Sequence, residues 1–497
     1  MEASLKEKIV EIGRDSSWYL GASVAAAAIG FISIPIFTRL FSPRDYGIYS
    51  LVSVAIGVLA PLFYIWLSQS ALRFYPEYNR DEKLGVFYST IYHYMPHFIA
   101  LCFVVTLLLA AFAVPLGGYR LVVCLGIAVF ALFTIFSVSL ELMRVRQFAW
   151  QYSILTILLS AGRYLVGAGL VVWFGFGVEG IFWGWLGTLV LLLPVELWML
   201  RVHHHVRWKD HSSRLSREFF GYGFVLIFAT GFSSVLTVAD RYIVDLFKGA
   251  AQVGLYSIVY NLMTNVTGVI LSALILGSTP VIMKTYEYDG EDEVRALIKR
   301  LTRYFLIIIL PCMTGLWVLR FRMMSVISGS KYMPATRAVL PLALAMVFVN
   351  ITWLPTCAFM LKKKTRLMLY PVMSAALLNL ALNFLLIPKY GFVGAAWATF
   401  VCYAVLFALT LVMSRDLMKW EFPWAGALRV LIATAIMAAC LAVLDGIAVH
   451  GAGGLLLVIT TGAIVFFAVI FLVGGIERNE RQFVLALVFR IFKRHAD

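Results

Sequence analysis

The chain has 497 residues, 62% of them hydrophobic and only 13% charged, with a formal net charge of +15. Soluble domains carry roughly 45–50% apolar and about 25% charged residues, so a water-soluble enzyme or nucleic-acid-binding domain is excluded as the class. The apolar residues come in runs of about twenty, the helix length that crosses roughly 30 Å of hydrocarbon.

A short charged segment, 1–16, with Lys6-Glu7-Lys8, leads into the first run, and no cleavable signal peptide is evident, so the first span is expected to be retained. Fourteen spans are expected, at 17–38, 48–67, 91–115, 119–140, 153–174, 178–199, 218–240, 253–280, 302–319, 337–360, 367–388, 392–413, 425–446 and 453–475. The second and seventh have room to extend, toward Arg73 and through Asp240-Arg241 to Phe247. Helices are required, because a lipid-facing segment must satisfy its own backbone hydrogen bonds. The fold class is therefore all-α integral membrane.

Two phrases recur. Tyr46-Gly47-Ile48-Tyr49-Ser50 follows the first run and Val253-Gly254-Leu255-Tyr256-Ser257 the seventh, 207 residues on. Gly177-Val178-Glu179-Gly180-Ile181-Phe182-Trp183 is answered by Gly391-Phe392-Val393-Gly394-Ala395-Ala396-Trp397 at an offset of 214. One duplication with loops of unequal length explains both. Each copy has six spans, an even number, so both start on the same side. Two parallel six-helix repeats are expected, 17–199 and 218–413, joined by a linker at 200–217, with a substrate site between them. Two further helices occupy 425–475. The tail, 477–497, alternates charge with Phe483, Leu487 and Ile491 and reads as an amphipathic surface helix.

Lys and Arg set the orientation. The regions on the side of the termini hold 29 of them and the opposite loops hold 10, which places both termini in the cytoplasm. The longest loops, 200–217 and 281–301, fall on that side. The positive charge is thus a topology signal and an attraction to anionic lipid rather than a nucleic-acid footprint. No loop is large enough for a catalytic domain.

The residues around Pro35-Ile36-Phe37-Thr38-Arg39-Leu40-Phe41-Ser42-Pro43-Arg44-Asp45-Tyr46-Gly47-Ile48-Tyr49-Ser50 resemble the polysaccharide-exporter branch of the multidrug/oligosaccharidyl-lipid/polysaccharide superfamily, the Wzx-type flippases. Leu72-Arg73-Phe74-Tyr75-Pro76-Glu77-Tyr78 and Ala239-Asp240-Arg241-Tyr242-Ile243 are similar to that branch too. The resemblance covers essentially the whole chain. It implies MATE-like lobes in the bacterial inner membrane and no cofactor. A polyprenyl-pyrophosphate-linked oligosaccharide would be flipped to the outer leaflet by alternating access, alongside other polysaccharide-assembly proteins, with cationic residues handling the anionic headgroup. An ion-coupled small-molecule antiporter of the same superfamily and an integral-membrane polymerase or ligase are the alternatives.

Arg163 is the leading candidate for substrate binding. It lies near the centre of 154–174, where a guanidinium costs roughly 2.5–3.5 kcal/mol on insertion scales and must face a wet cavity or a partner. Its planar fork suits a pyrophosphate. Arg39 and Arg241 close the first spans of the two repeats, where snorkelling to the interface is the competing role. Arg73 stands at the cytoplasmic mouth. Asp240 is either the counter-charge of Arg241 or a site of H+ or Na+ coupling. Glu141, Glu196 and Asp445 lie near span ends and are expected at the surface. His93 and His97 are one turn apart with no third ligand in the sequence, so no metal site is expected. All six cysteines lie in apolar runs with no paired spacing and read as packing residues. Gly175-Phe176-Gly177-Val178-Glu179-Gly180 fits a dinucleotide fingerprint only by spacing, since no soluble strand precedes it. Pro35, followed by Arg39, is the expected hinge of the first span, with a static kink as the alternative.

Overall fold

The computed structural model describes residues 2–111, 119–447 and 451–475. Its helices are α1 (Glu2–Leu40), α2 (Pro43–Arg80), α3 (Leu84–Tyr92), α4 (Tyr94–Ala111), α5 (Arg120–Val145), α6 (Ala149–Phe174), α7 (Glu179–Met199), α8 (Val202–His205) and α9 (Ser213–Lys248). They continue with α10 (Ala250–Tyr288), α11 (Glu291–Val318), α12 (Arg320–Ser328), α13 (Val339–Ile351), α14 (Trp353–Leu361), α15 (Leu369–Tyr390), α16 (Phe392–Arg415), α17 (Trp424–Ile447) and α18 (Ala452–Leu472). Among the described residues, 13 helical stretches are long and apolar enough to cross a membrane. The remaining expected span, 253–280, lies inside the continuous helix α10. The tail at 477–497 lies outside the described residues.

Several helices outrun their apolar cores. The second expected span continues to Arg80 and the seventh runs from Ser213 to Lys248, so Arg73, Asp240 and Arg241 are all helical. The loop expected at 281–301 is mostly helix: α10 ends at Tyr288 and α11 begins at Glu291 after the left-handed Gly290. Glu291, Asp292 and Glu293 occupy the first turn of α11, where the helix dipole favours acidic side chains. Polarity there marks helix ends that stand clear of lipid rather than a break in the backbone. The linker at 200–217 contains α8, a 3₁₀ turn at Trp208–Asp210 and the start of α9, whose N-cap Ser212 accepts from the Leu215 amide. Two expected spans are interrupted. The third divides at His93 into α3 and α4, and the tenth into a 3₁₀ segment, Ser330–Ala338, followed by α13 and α14. Pro35 sits inside α1, which continues to Leu40.

By packing, the chain divides into two compact units. The first comprises the described residues through Leu276 together with Leu369–Cys402, and so draws on both of the expected repeats. Within it α6 packs on α7 and α1, α2 packs on α5 and α9, and α9 packs on α15. Its core includes Phe37, Tyr46, Phe136, Phe182 and Tyr256, all fully buried. The second comprises Gly277–Met368 and the described residues from Tyr403 onward. There α11 packs on α13 and α17, and α17 on α18. Asp445, expected at a surface, is held by Arg322, whose Nε donates to its Oδ1 at 2.5 Å. The Arg322 side chain is only 8% exposed, so it draws the carboxylate into a partly buried pair.

Candidate functional site

The first unit brings the two repeated phrases together. Ser42-Pro43-Arg44-Asp45 starts α2 as a capping box: the Ser42 hydroxyl accepts from the Asp45 amide, and the Asp45 carboxylate accepts from the Ser42 amide and hydroxyl. Pro43, with its φ already set, fills the first turn. The phrase from Tyr46 to Ser50 therefore begins one turn into α2. Its counterpart begins one turn into α10, which follows α9 after the left-handed Gly249.

The two helix starts meet without side chains between them. A Cβ on Gly47 would stand 1.8 Å from the Ala250 carbonyl oxygen, and one on Gly254 would stand 1.9 Å from that of Pro43. The two contacts correspond: 43 and 250 are separated by 207 residues, as are 47 and 254. One turn further along, the Ser50 and Ser257 hydroxyls, also 207 apart, are hydrogen-bonded at 2.7 Å and buried. Glycine is needed at both positions because backbone approaches backbone.

On the other face of this contact α6 and α7 form a tight hairpin. A Cβ on Gly184 would lie 2.3 Å from the Gly167 nitrogen. This closeness lays Trp185 of α7 against Arg163 of α6, with the guanidinium carbon 3.6 Å from the indole centroid. Tyr164 and Tyr49 flank the same cation at 5.0 and 5.8 Å. Arg163 Nη2 donates to the Tyr49 hydroxyl at 2.9 Å, while its buried Nε has no hydrogen-bond partner among the described residues. Among the described residues no carboxylate pairs with Arg163. The cation is held by π faces and one phenol, which leaves donor capacity for an anion.

Arg163 forms a wall shared by two cavities. One, of about 190 Å³, is polar and is lined by Ser33, Tyr46, Ser50, Asn261 and Asn265. The other, of about 340 Å³, is lined by Tyr64, Glu141, Tyr152, Ser160 and Trp185.

Arg241 approaches the first cavity from the second repeat. It is 3% exposed, donates from Nη2 to Asn261 Oδ1 at 3.3 Å and lies over the Tyr260 ring at 4.5 Å. Asn261 in turn donates to the Tyr46 hydroxyl at 3.3 Å. Hydrogen bonds thus link Arg163 to Tyr49 and, through Asn261, Arg241 to Tyr46, and the two pairs meet where the Tyr46 and Tyr49 rings pack with centroids 5.7 Å apart. Asp240 points away from these groups. One carboxylate oxygen accepts from the Arg241 amide at 2.7 Å, and the other accepts from the Tyr256 hydroxyl and, at 3.4 Å, from the Thr399 hydroxyl. It ties α9 to α10 and α16.

The remaining expected residues stand apart. Arg39 and Arg73 are exposed, and neither lines the cavities around Arg163; Arg73 lies 6.0 Å over Phe74. Glu141, by contrast, lines the larger of the two Arg163 cavities, where its carboxylate pairs with Arg144 at 2.9 Å. Glu196 departs from its expected surface position: it is fully buried, and among the described residues neither carboxylate oxygen has a hydrogen-bond partner. The packing of α7 against α5 and α6 places it inward, which proximity to a span end does not reveal. His211 from the linker stacks on His93 at 4.0 Å, a neighbour the sequence does not announce. Among the described residues no group of three His, Cys, Asp or Glu could hold a metal ion. Tyr49 and Asn261, central to the site, do not stand out in the sequence as candidate site residues. The repeat phrase was the available signal for Tyr49, and nothing marked Asn261.

Comparison with known proteins agrees with this architecture. Over 90% of this chain and 96% of its own, the structure of the lipid II flippase MurJ in an inward closed conformation superposes with a TM-score of 0.72 at 15% identity. An inward-facing multidrug resistance MATE family transporter of the MOP superfamily gives 0.59 at 14% identity, over 81% and 94%. An uncharacterized membrane protein of Methanocaldococcus jannaschii is 20% identical over 84% of this chain and 86% of its own length. The probable low-salt glycan biosynthesis flippase Agl15 of Haloferax volcanii is 22% identical over 48% of this chain and 50% of its own. The family described as polysaccharide biosynthesis protein matches residues 12–286, more than half of the chain. With the fold of the MOP-superfamily transporters and that match, the chain belongs to the polysaccharide biosynthesis protein family.

Proposed function

We propose that this protein flips a polyprenyl-pyrophosphate-linked oligosaccharide from the cytoplasmic to the outer leaflet of the bacterial inner membrane, with both termini cytoplasmic, for assembly of a surface polysaccharide. The single observation that carries the reading is Arg163: a mid-span guanidinium beside a polar cavity, held by aromatic rings, with no carboxylate partner among the described residues. A diphosphate sheds hydration on entering such a site, and a preformed cation that can offer two parallel donors offsets part of that loss. A cationic drug would require the opposite charge there. The family match and the likeness to a glycan biosynthesis flippase support the same class of cargo.

In this reading Arg163 binds the diphosphate, and Arg241, tied to the same cavity through Asn261, contributes from the second repeat. Arg73 and Arg39 act earlier and later on the path, at its two mouths. Repeats 17–199 and 218–413 alternate access around the cavity, with the Gly47–Gly254 crossing as the closed outer contact. Asp240 remains the candidate for H+ or Na+ coupling, although three donors already fill its oxygens.

The test is a vesicle assay. Purified protein is reconstituted with a fluorescent polyprenyl-diphosphate oligosaccharide, and transfer between leaflets is read by an impermeant quencher. Wild type is expected to equilibrate the probe and Arg163→Ala to leave it on its original side. Equal rates for the two, at equal protein content, would remove Arg163 from the mechanism.

A further inference from the structure

A larger cavity, of about 730 Å³, lies on the opposite side of α2 from Arg163. The two faces of α2 separate by helical spacing. Tyr46, Tyr49, Ser50 and Ser53 face the polar cavity, whereas Ile48, Leu51, Ala55 and Leu59 line the larger one. Gly126 and Phe130 of α5 form a second wall, and Tyr242 of α9 a third. Leu59 and Tyr242 are 43% and 42% exposed, so this is an open groove on the side of the bundle and not a sealed void.

Its two ends differ in chemistry. Arg44, at the start of α2, and Lys248, at the end of α9, stand together at one end. Both are exposed, and among the described residues neither forms an ion pair; Arg44 lies 5.4 Å over the Tyr119 ring. Asp45 is already engaged by Ser42 and by the Tyr119 hydroxyl at 3.1 Å. The carboxylate that remains in the groove is Asp245, one turn before Lys248. From Arg44 the apolar stripe on α2 runs fifteen residues to Leu59, about 22 Å at 1.5 Å per residue. One leaflet, half of a 30 Å hydrocarbon core plus its headgroup layer, has about the same depth.

We infer that this groove is a binding site for a monoanionic diacyl phospholipid, its phosphate between Arg44 and Lys248 and one acyl chain along the α2 stripe. Charge selects the occupant. Arg44 and Lys248 are the two cations and Asp245 the one carboxylate among the lining residues, and Asp45 beside them keeps its charge through its neutral hydrogen bonds, so a diphosphate would leave more negative charge uncompensated than a phosphodiester. The site lies beyond the transport reading, because it needs neither cargo nor turnover to be filled. Such a lipid would wedge α2, α5 and α9 directly behind the wall that carries Tyr49.

Native mass spectrometry of the full chain released from detergent tests the inference, with phosphatidylglycerol, phosphatidylcholine, phosphatidylethanolamine and a polyprenyl diphosphate offered at equal concentration. Phosphatidylglycerol is expected to be retained preferentially. The double variant Arg44→Gln/Lys248→Gln should lose that preference by about fivefold for each cation removed while retaining phosphatidylcholine as before. Ala55→Trp should block the stripe and lower retention of both lipids. Both cations are exposed, so the melting temperature of the double variant should match wild type; if it falls, Lys248→Gln alone carries the charge test. Equal retention of all phospholipids, preference for the polyprenyl diphosphate, displacement by soluble glycerol phosphate, or a double variant that keeps its preference would each overturn it.

Discussion

The two copies of the repeated phrase are packed alike and wired differently. In both, a glycine brings helix start against helix start, and the serine one turn on meets its own counterpart. The tyrosines between them then diverge. Tyr49 accepts a hydrogen bond from Arg163 beside the polar cavity, whereas Tyr256 donates to Asp240 in the core. Their neighbours decide this. At the offset relating Gly177 to Gly391, Leu377 of α15 corresponds to Arg163 of α6, and it is 57% exposed. Without an arginine, the second tyrosine turns to the aspartate that only the second repeat supplies. The contact between the two phrases is alike on both sides, and the surrounding helices give the two tyrosines different partners, a cation beside a cavity for one and a carboxylate in the core for the other.

The strongest way to break this comparison is to refill the shared contact. Gly47→Ala and Gly254→Ala should each cost about 3 kcal/mol, the upper end for overpacking, because the obstacle is a backbone carbonyl and not a movable side chain. Thermal unfolding in detergent measures it. A large loss in one variant and none in the other would show that the two contacts are not equivalent.

The next test separates the tyrosines. Tyr256→Phe should destabilise by about 2 kcal/mol, since it strips a buried carboxylate of a charge-assisted hydrogen bond, and Tyr49→Phe by about 1 kcal/mol. Transport should rank them the other way, with Tyr49→Phe more impaired per folded molecule. Melting curves and the vesicle assay on the same preparations give both orders, and a shared order would end the division of roles.

Arg163 sharpens the functional side. Arg163→Ala should lower transport by roughly tenfold to a hundredfold, the range for a hydrogen bond to a charged group. Arg163→Lys should retain part of the rate because charge survives and the fork does not. Membrane abundance measured in parallel distinguishes a binding arginine from a structural one, which would lower the amount of protein instead. The smallest effect concerns the serine pair. Ser50→Ala or Ser257→Ala alone should cost about 1 kcal/mol by leaving a buried hydroxyl unmatched, and the double variant about as little as either. A double-mutant cycle that is strictly additive would mean the two hydroxyls do not interact.

Much of the fold was legible because lipid imposes a one-dimensional rule. A run of about twenty apolar residues can cross only as a helix, so most spans could be placed by composition, and Arg163 stood out by cost alone. Ends were less legible. At 281–301 polar residues continue two helices rather than form a loop, since a helix leaving the hydrocarbon keeps its backbone bonds while its side chains change. The interruptions at His93 and Thr352 are each followed three residues on by a proline, Pro96 and Pro355, which cannot donate to the preceding turn; the sequence carries that mark, but other prolines, such as Pro35 and Pro61, sit inside helices that continue.

From the sequence alone came the membrane class, the repeat phrases and the two arginines, Arg163 and Arg241, because hydropathy, duplication and the cost of buried charge are properties of residues in order. Only the tertiary structure decided what those residues touch. It set Tyr49 on Arg163 and Tyr256 on Asp240, joined Asn261 to Tyr46 and Arg241, and buried Glu196 with no hydrogen-bond partner among the described residues. These pairings depend on which faces of helices far apart in the chain come together, and helical periodicity fixes a face without naming its neighbour.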